Sequence, residues 1–175
     1  MKSKTILFAT FLLLGAVTLG QNTTKAEKSF YFDFVMGPYL FVSHIPYDAV
    51  MMTGGRLGYE MSPKFTASIE YVVGQQQDDQ HTLGLTHNVN GQLAYWLKGS
   101  NQRFNPYLFA GGGFMEFKSF TTDVYGIQYN AGLGTTLRFS DRVYGLIEAR
   151  YFNLGLMDLG GVHELAVFWG MRVKF

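Results

Sequence analysis

The chain has 175 residues, enough for one domain and too few for two large ones. Charged residues make up only 15% of it and aromatic residues 17%, whereas a typical soluble domain carries about 25% charged residues. We therefore expect something other than water to cover much of its surface. The absence of cysteine excludes disulfides, a lipid-anchoring thiol and thiolate metal centres.

The N-terminal segment has the pattern of a secretory signal peptide. Two lysines precede an apolar run over residues 6–17, and small residues stand at Thr18 and Gly20. We expect cleavage after Gly20, with cleavage after Ala26 as the alternative, because residues 24–26 repeat the small-x-small spacing. The predicted organisation is a signal peptide over 1–20, a short N-terminal segment over 21–29 and one domain over 30–175.

The charge of the exported part argues against nucleic acid as a partner. Residues 1–20 contain two lysines and no acid, so their removal leaves 12 basic and 13 acidic residues. A chain that binds nucleic acid through its phosphates normally carries a clear excess of bases.

Beyond residue 29, apolar and polar side chains alternate with a period of two, and no stretch shows a convincing helical period. The clearest strand is the last one, in which Leu165, Val167 and Trp169 alternate with Glu164 and other residues of the opposite face. The predicted strands are Phe30–Phe41, Met51–Met61, Phe65–Gly74, Leu83–Lys98, Tyr107–Lys118, Tyr125–Phe139, Val143–Phe152 and Glu164–Phe175.

The connections between these strands alternate in kind. Short segments with turn residues, at 62–64, 99–105 and 140–142, alternate with generally longer and more polar segments at 42–50, 75–82, 119–124 and 153–163. This alternation is what a barrel with two unlike ends requires. The sequence therefore predicts an all-β fold, an eight-stranded antiparallel up-and-down transmembrane β-barrel.

One face of each predicted strand is apolar, and no charged residue falls on it when the phase of each strand is chosen for its apolar residues. An eight-stranded barrel has an interior just wide enough for a filling of side chains, so this large apolar set must face outward, into lipid. Its representative members are Phe34, Leu57, Ile69, Leu93, Phe109, Leu133, Ile147 and Trp169. His87 is its one awkward member and indicates a bulge, a rim position or a different register.

The opposite phase is predicted to fill the lumen. It is rich in glycine, including Gly58, Gly84, Gly112, Gly132 and Gly170, and its acids and bases nearly balance, as buried charges must. Its predicted polar members are Asp33, Glu60, Glu70, Glu116, Glu148, Glu164, Arg56, Lys98, Lys118, Arg138, Arg150, Arg172, Lys174, Asn88, Asn90, Gln92, Gln128 and Asn130.

Aromatic residues fall near both ends of the apolar face, as expected for two interfacial girdles. The predicted girdle at one rim is Phe32, Tyr59, Phe65, Tyr95, Tyr107, Phe139 and Phe175, and at the other rim Tyr71, Phe117, Tyr125 and Tyr151.

The segment 30–175 resembles the small OmpA-like and opacity-type outer-membrane barrels. Residues 167–175 have the alternating pattern of a strand, end at Phe175 and are similar to the C-terminal strand of that family. Residues 106–113 and 147–151 are similar to two of its other strands. The resemblance implies an integral protein of the bacterial outer membrane with periplasmic termini. It also implies two partners, outer-membrane lipid and the assembly machinery, which would recognise the last strand.

Some barrels of this size modify lipid A, and their deacylases resemble each other in a His-x-Ser pair. None of the four histidines is followed by Ser two residues later, and Ser43 and His44 point to opposite faces if they lie in a strand. The longer connections and their flanks hold histidines and aspartates for which the alternatives are a metal or proton-sensing site and a set of solvated loop residues. Because they show no metal-ligand spacing, we interpret them as solvated. These residues are His44, His81, His163, Asp48, Asp78, Asp79 and Asp158. No catalytic, cofactor-binding or metal-binding residue is predicted.

The favoured function is structural or interactive: a plugged barrel that presents short loops at the cell surface. The alternatives are a lipid A-modifying enzyme, a narrow channel and a soluble periplasmic barrel that binds an apolar ligand.

Overall fold

The computed structural model describes residues 29–41, 50–77, 83–99, 102–119, 123–156 and 160–175. The predicted signal peptide and both of its cleavage sites lie outside these residues. No helix in the described segments is long and apolar enough to cross a membrane.

The eight predicted strands are confirmed, with shifts of a few residues at their ends. In chain order they are β1 (Phe30–Phe41), β2 (Val50–Ser62), β3 (Phe65–Gln77), β4 (Leu83–Trp96), β5 (Phe104–Ser119), β6 (Asp123–Arg138), β7 (Val143–Leu156) and β8 (Gly160–Lys174).

Each strand pairs antiparallel with its neighbours in sequence, and β8 pairs with β1 to close the barrel. Closure leaves no unpaired strand edge, which in hydrocarbon would cost several kcal/mol per unmet backbone group. The turns between β2 and β3, β4 and β5, and β6 and β7 define one end of the barrel, called the turn end below. The other end, where β1 leaves toward β2, is called the loop end.

Side-chain exposure alternates along the strands, as the sequence predicted. Leu133 and Ile69 are 61% and 67% exposed on the outer wall, while Val35 and Phe168 are fully buried in the lumen. Both aromatic rims are present on the wall, with Phe139 and Phe175 at the turn end and Tyr71, Tyr125 and Tyr151 at the loop end. The two faces of the barrel wall are therefore assigned correctly for seven of the eight strands.

Strand β5 is the exception, and its predicted phase was wrong. Tyr107 and Phe109, predicted to face lipid, are buried inside the barrel, whereas Leu108 is half exposed on the wall. The same reversal moves Phe117 to the inward phase and turns Gly112, Glu116 and Lys118, predicted as lumenal, outward. The prediction that no charged residue lies on the outer wall was therefore wrong, because Glu116 and Lys118 lie there.

Packing against β6 explains the phase of β5. A Cβ atom added at Gly132 would lie 2.5 Å from the ring of Phe109, and one at Gly134 would lie 2.6 Å from the ring of Tyr107. The two glycines on β6 thus leave the space that two large β5 side chains occupy. Because aromatic residues occur on both phases of β5, its own sequence does not show which set fills that space.

Two predicted lumenal bases lie instead at the turn end. Strand β4 ends at Trp96, so Lys98 falls in the following turn and is exposed. Arg138 ends β6, is half buried, and pairs with the exposed Asp141. Both positions are close enough to the turn end for a long side chain to reach water.

Candidate functional site: the barrel interior

Arg56 on β2 lies at the centre of an ion-pair network in the middle of the lumen. Its guanidinium lies 2.7 Å from Glu148, 2.8 Å from Glu70 and 3.2 Å from Asp33. The residues involved are at most a few per cent exposed. The three acids come from β7, β3 and β1, so one arginine joins four strands.

Arg150 on β7 completes the network. It donates to both carboxylate oxygens of Glu70, at 2.5 and 2.8 Å, and to Glu148 on its own strand through Nε at 2.9 Å. Its guanidinium also lies 4.2 Å from the centre of the Phe168 ring. Buried charges are tolerated only with such pairing, because an unpaired one costs several kcal/mol in desolvation.

Toward the turn end the network continues through Arg172 and Lys174 on β8. Arg172 donates to both oxygens of Asp33, at 2.7 and 2.9 Å, and lies 3.7 Å from the centre of the Tyr31 ring. Lys174 pairs with Glu60 at 2.7 Å. These contacts fix β8 to β1 and β2 from the inside, in addition to the backbone ladder that closes the barrel.

Aromatic side chains fill the lumen beside these ion pairs. Trp96, Tyr107 and Phe109 form a buried cluster, with 4.4 Å between the ring centres of Trp96 and Tyr107. The Tyr107 hydroxyl donates a hydrogen bond to Glu148. The misassigned residues of β5 are thus part of the plug.

The loop-end half of the lumen has a polar side and an apolar side. Asn88, Asn90, Gln128 and Asn130 on β4 and β6 form a network of amide hydrogen bonds. Opposite them is an apolar cluster that the sequence prediction missed, because these residues lie on the charged phase of their strands. Its members are Val35, Tyr39, Val50, Met52, Val72, Leu146, Phe152, Ala166 and Phe168.

Glu164 borders this apolar cluster and differs from the other buried acids. It is fully buried, and no arginine or lysine pairs with it among the described residues. Its carboxyl group interacts with the hydroxyl of Tyr39 on β1.

The predicted lumenal charges are therefore present except at the two turn-end and two β5 positions. The described lumen holds the acids Asp33, Glu60, Glu70, Glu148 and Glu164 and the bases Arg56, Arg150, Arg172 and Lys174. Ion pairs, amides and aromatic rings thus meet inside the barrel. This interior is built for stability, since each of its arginines has at least one carboxylate partner.

The histidines that the structure describes lie on the outer wall near the loop end. His87 lies 2.8 Å from the Tyr71 hydroxyl and opposite Glu116, which pairs with Lys118 at 2.9 Å. His163 stacks on Tyr151 and shares a hydrogen bond with it. His87 is thus a rim residue on the phase that the sequence predicted.

The remaining residues of the possible metal or catalytic site at the loop end are not described by the structure, so their arrangement stays a prediction. Ser43, His44, His81, Asp48, Asp78, Asp79 and Asp158 lie outside the described residues. Within the described segments, no group of three or more potential ligands could hold a metal ion.

Comparison with solved structures finds other small outer-membrane barrels. Neisserial surface protein A superposes with a TM-score of 0.73 at 16% identity, covering 86% of this chain and 100% of that one. OprG of Pseudomonas aeruginosa gives 0.58 at 14% identity, with 87% and 97% covered. Ail of Yersinia pestis, in complex with the heparin analogue sucrose octasulfate, gives 0.51 at 16% identity, with 87% and 100% covered.

These similarities confirm the predicted fold, which is that of the small outer-membrane barrels. No protein-family model matches the chain, and no curated protein matches it in sequence.

Proposed function

We propose that the chain is an integral protein of the bacterial outer membrane, a plugged barrel with a structural or surface-interaction role and no catalytic activity. The observation that carries this proposal is the outer wall. Leu57, Leu133 and Ile147 are each about 60% exposed there, together with many other large apolar side chains. Monomeric soluble proteins do not expose a continuous apolar surface of this extent.

The distribution of charge supports the same environment. A lysine or arginine at the bilayer midplane costs about 2–4 kcal/mol, and the cost falls to about 0–1 near the interfaces. The charged pair on the wall, Glu116 and Lys118, belongs to the last residues of β5 at the loop end. The middle of the wall carries no charged side chain among the described residues.

The filled lumen argues for a plug and against a channel or a soluble ligand-binding barrel. Eight strands leave room for side chains only, and the ion pairs of Arg56 and Arg150 cross the middle of that space. A ligand-binding soluble barrel would need an apolar cavity there and a polar wall outside, the reverse of what is observed.

Three further parts of the proposal rest on sequence. Residues 1–20 act as an export signal, the strand that ends at Phe175 is recognised by the outer-membrane assembly machinery, and the segments at the loop end face the cell exterior. A surface role accords with the names of two barrels of the same fold, a neisserial surface protein and an attachment invasion locus protein.

Fractionation combined with labelling of intact cells tests this proposal. Since the chain has no cysteine, single cysteines at Thr121 in the β5–β6 connection and at Asp141 in the β6–β7 turn report the two ends separately. We expect the protein in the outer-membrane fraction and a membrane-impermeant maleimide to label position 121 only. A soluble protein, or labelling of position 141 only, would contradict the proposal.

Lipid A analysis tests the absence of catalysis. We expect identical lipid A from cells with and without the protein. A change in acyl chains that depends on the protein would instead indicate a lipid-modifying enzyme.

A further inference from the structure

An apolar groove of about 420 Å³ lies on the outer wall where β6, β7, β8 and β1 adjoin. This volume is within the range of about 300–1,000 Å³ typical of small-molecule sites. The groove exists because Gly145 contributes no side chain to the wall beside the ring of Phe139. Its main lining residues are Phe34, Leu137, Phe139, Ile147, Trp169 and Met171.

Three arginines lie where the groove reaches the turn end. Phe139, which lines the groove, lies between Arg138 and the turn that contains Arg142. The backbone N–H of Arg138 donates to the carbonyl of Arg103 at 2.8 Å, which brings the β4–β5 turn to the same place. Arg103 and Arg142 are exposed, and the neighbouring Asp141 is paired with Arg138.

The opposite end of the barrel has the opposite charge pattern. The segments that join the strands there, at 42–49, 78–82, 120–122 and 157–159, contain four aspartates and neither lysine nor arginine. The excess of positive charge is therefore confined to the turn end, and the groove opens onto it.

We propose that this groove and its arginines bind one anionic phospholipid of the leaflet at the turn end. An acyl chain lies along Phe139, Ile147 and Trp169, and the headgroup phosphate contacts Arg103 and Arg142. The proposal rests on the proposed membrane location and adds to it a specific lipid class and site.

The chemistry of the two parts favours this occupant over others. Hydrocarbon fits a lining that is almost wholly apolar, and guanidinium groups bind phosphate oxygens through charge-assisted, often bidentate hydrogen bonds. Basic side chains next to a membrane surface also prefer anionic to zwitterionic lipid. A second copy of the chain is disfavoured, because the same patch on a symmetric partner would bring like charges together.

Tryptophan fluorescence measures occupancy of the groove directly. The chain has two tryptophans: Trp169 lines the groove, and Trp96 is buried inside the barrel. The protein is reconstituted in two kinds of phosphatidylcholine vesicle. In one, a fraction of the phosphatidylcholine carries brominated acyl chains. In the other, phosphatidylglycerol with brominated acyl chains is added. Quenching of Trp169 by each brominated lipid gives the relative association of the two lipids with the groove.

We expect phosphatidylglycerol to associate at least about fivefold more strongly than phosphatidylcholine, the effect of roughly one basic residue near a membrane surface. The double variant Arg103→Gln/Arg142→Gln should bring this ratio close to one. The matched control is Lys64→Gln/Lys98→Gln, which removes two charges from the same end, one in the β2–β3 turn and one on the β4 side of the β4–β5 turn, and it should keep the preference.

The outcomes separate this inference from the proposed function. If brominated phosphatidylcholine does not quench Trp169 at all, the wall does not face lipid and both proposals fail. If the two lipids quench equally in the unsubstituted protein, only the groove proposal is overturned. If both double variants lose the preference for phosphatidylglycerol equally, the groove proposal is also overturned. The preference would then come from the overall positive charge of the turn end.

Discussion

Arg150 on β7 donates a hydrogen bond of 2.5 Å to Glu70 on β3, although the two strands lie on opposite sides of the barrel. The bond therefore crosses the full width of the lumen. Together with the bonds from Arg56 to Glu148 and Glu70 it ties β2, β3 and β7 to one another from the inside. The stability of the barrel and the closure of its lumen thus depend on the same few residues.

Replacing Arg150 with Met should destabilise the barrel strongly. The substitution leaves Glu70 with Arg56 alone, and loss of one partner of a buried ion pair costs about 3–5 kcal/mol. Urea unfolding of the reconstituted protein, followed by tryptophan fluorescence, measures the change. Lys98→Met, which removes an exposed base from a turn, should change stability by no more than about 0.5 kcal/mol.

A double substitution distinguishes loss of pairing from loss of packing. In Arg150→Met/Glu70→Met both charges of the cross-lumen pair are gone, so we expect it to be less destabilised than the sum of the two single variants. Additive effects would show that the two residues act independently and would contradict the network.

The plugged lumen predicts that vesicles containing the protein retain a small trapped dye such as carboxyfluorescein. Eight strands leave an interior just wide enough for side chains, and the ion pairs of Arg56 and Arg150 cross it, so we expect no continuous water path of that width. Release should match that of protein-free vesicles over the same period. Steady leakage proportional to the amount of protein would show that the lumen is open.

The phase of β5 can be tested with spin labels on single cysteines, since the chain has none of its own. A label at position 108 should collide readily with oxygen dissolved in the bilayer, because Leu108 is on the outer wall. A label at position 110, on the same phase, should behave alike. Labels at position 109 should be shielded inside the barrel or should prevent folding. Equal oxygen accessibility at positions 108 and 109 would contradict the observed register.

Two glycines with different surroundings should respond differently to alanine. A Cβ atom at Gly58 would lie 2.0 Å from the ring of Tyr31 inside the lumen, whereas one at Gly112 on the wall meets nothing closer than 3.4 Å. Gly58→Ala should therefore destabilise by about 1–3 kcal/mol through overpacking. Gly112→Ala should be neutral or slightly stabilising, because alanine has less freedom to lose on folding. Urea unfolding of both variants is the measurement.

Lysine substitutions on the wall test the lipid environment by depth. Leu133→Lys, in the middle of β6, should cost about 2–4 kcal/mol in the free energy of unfolding, and Phe139→Lys, at the turn end, about 0–1. If Leu133→Lys is tolerated as well as Phe139→Lys, hydrocarbon does not cover the middle of the wall.

The secondary structure, the number of strands and the general assignment of faces could be predicted from the amino-acid sequence alone. A period of two is a local property, and in most strands one phase holds large apolar residues while the other holds charges or glycine. Leu133 between Gly132 and Gly134 is such a case. The apolar side chains are too many and too large to fit in a narrow lumen. The sequence therefore also predicts that the apolar faces point outward and the polar faces inward.

Which side chain fills which space in the barrel could not be predicted in this way, because it depends on contacts between strands. The phase of β5 depends on Gly132 and Gly134 of β6, which leave room for Phe109 and Tyr107, and this complementarity exists only once the two strands are in register. The lumenal apolar cluster, the pairing of Arg150 with Glu70 and the groove beside Trp169 each combine residues from several strands. Such contacts depend on side-chain volumes and on distances between strands. The alternation of residues within a single strand gives no information about either.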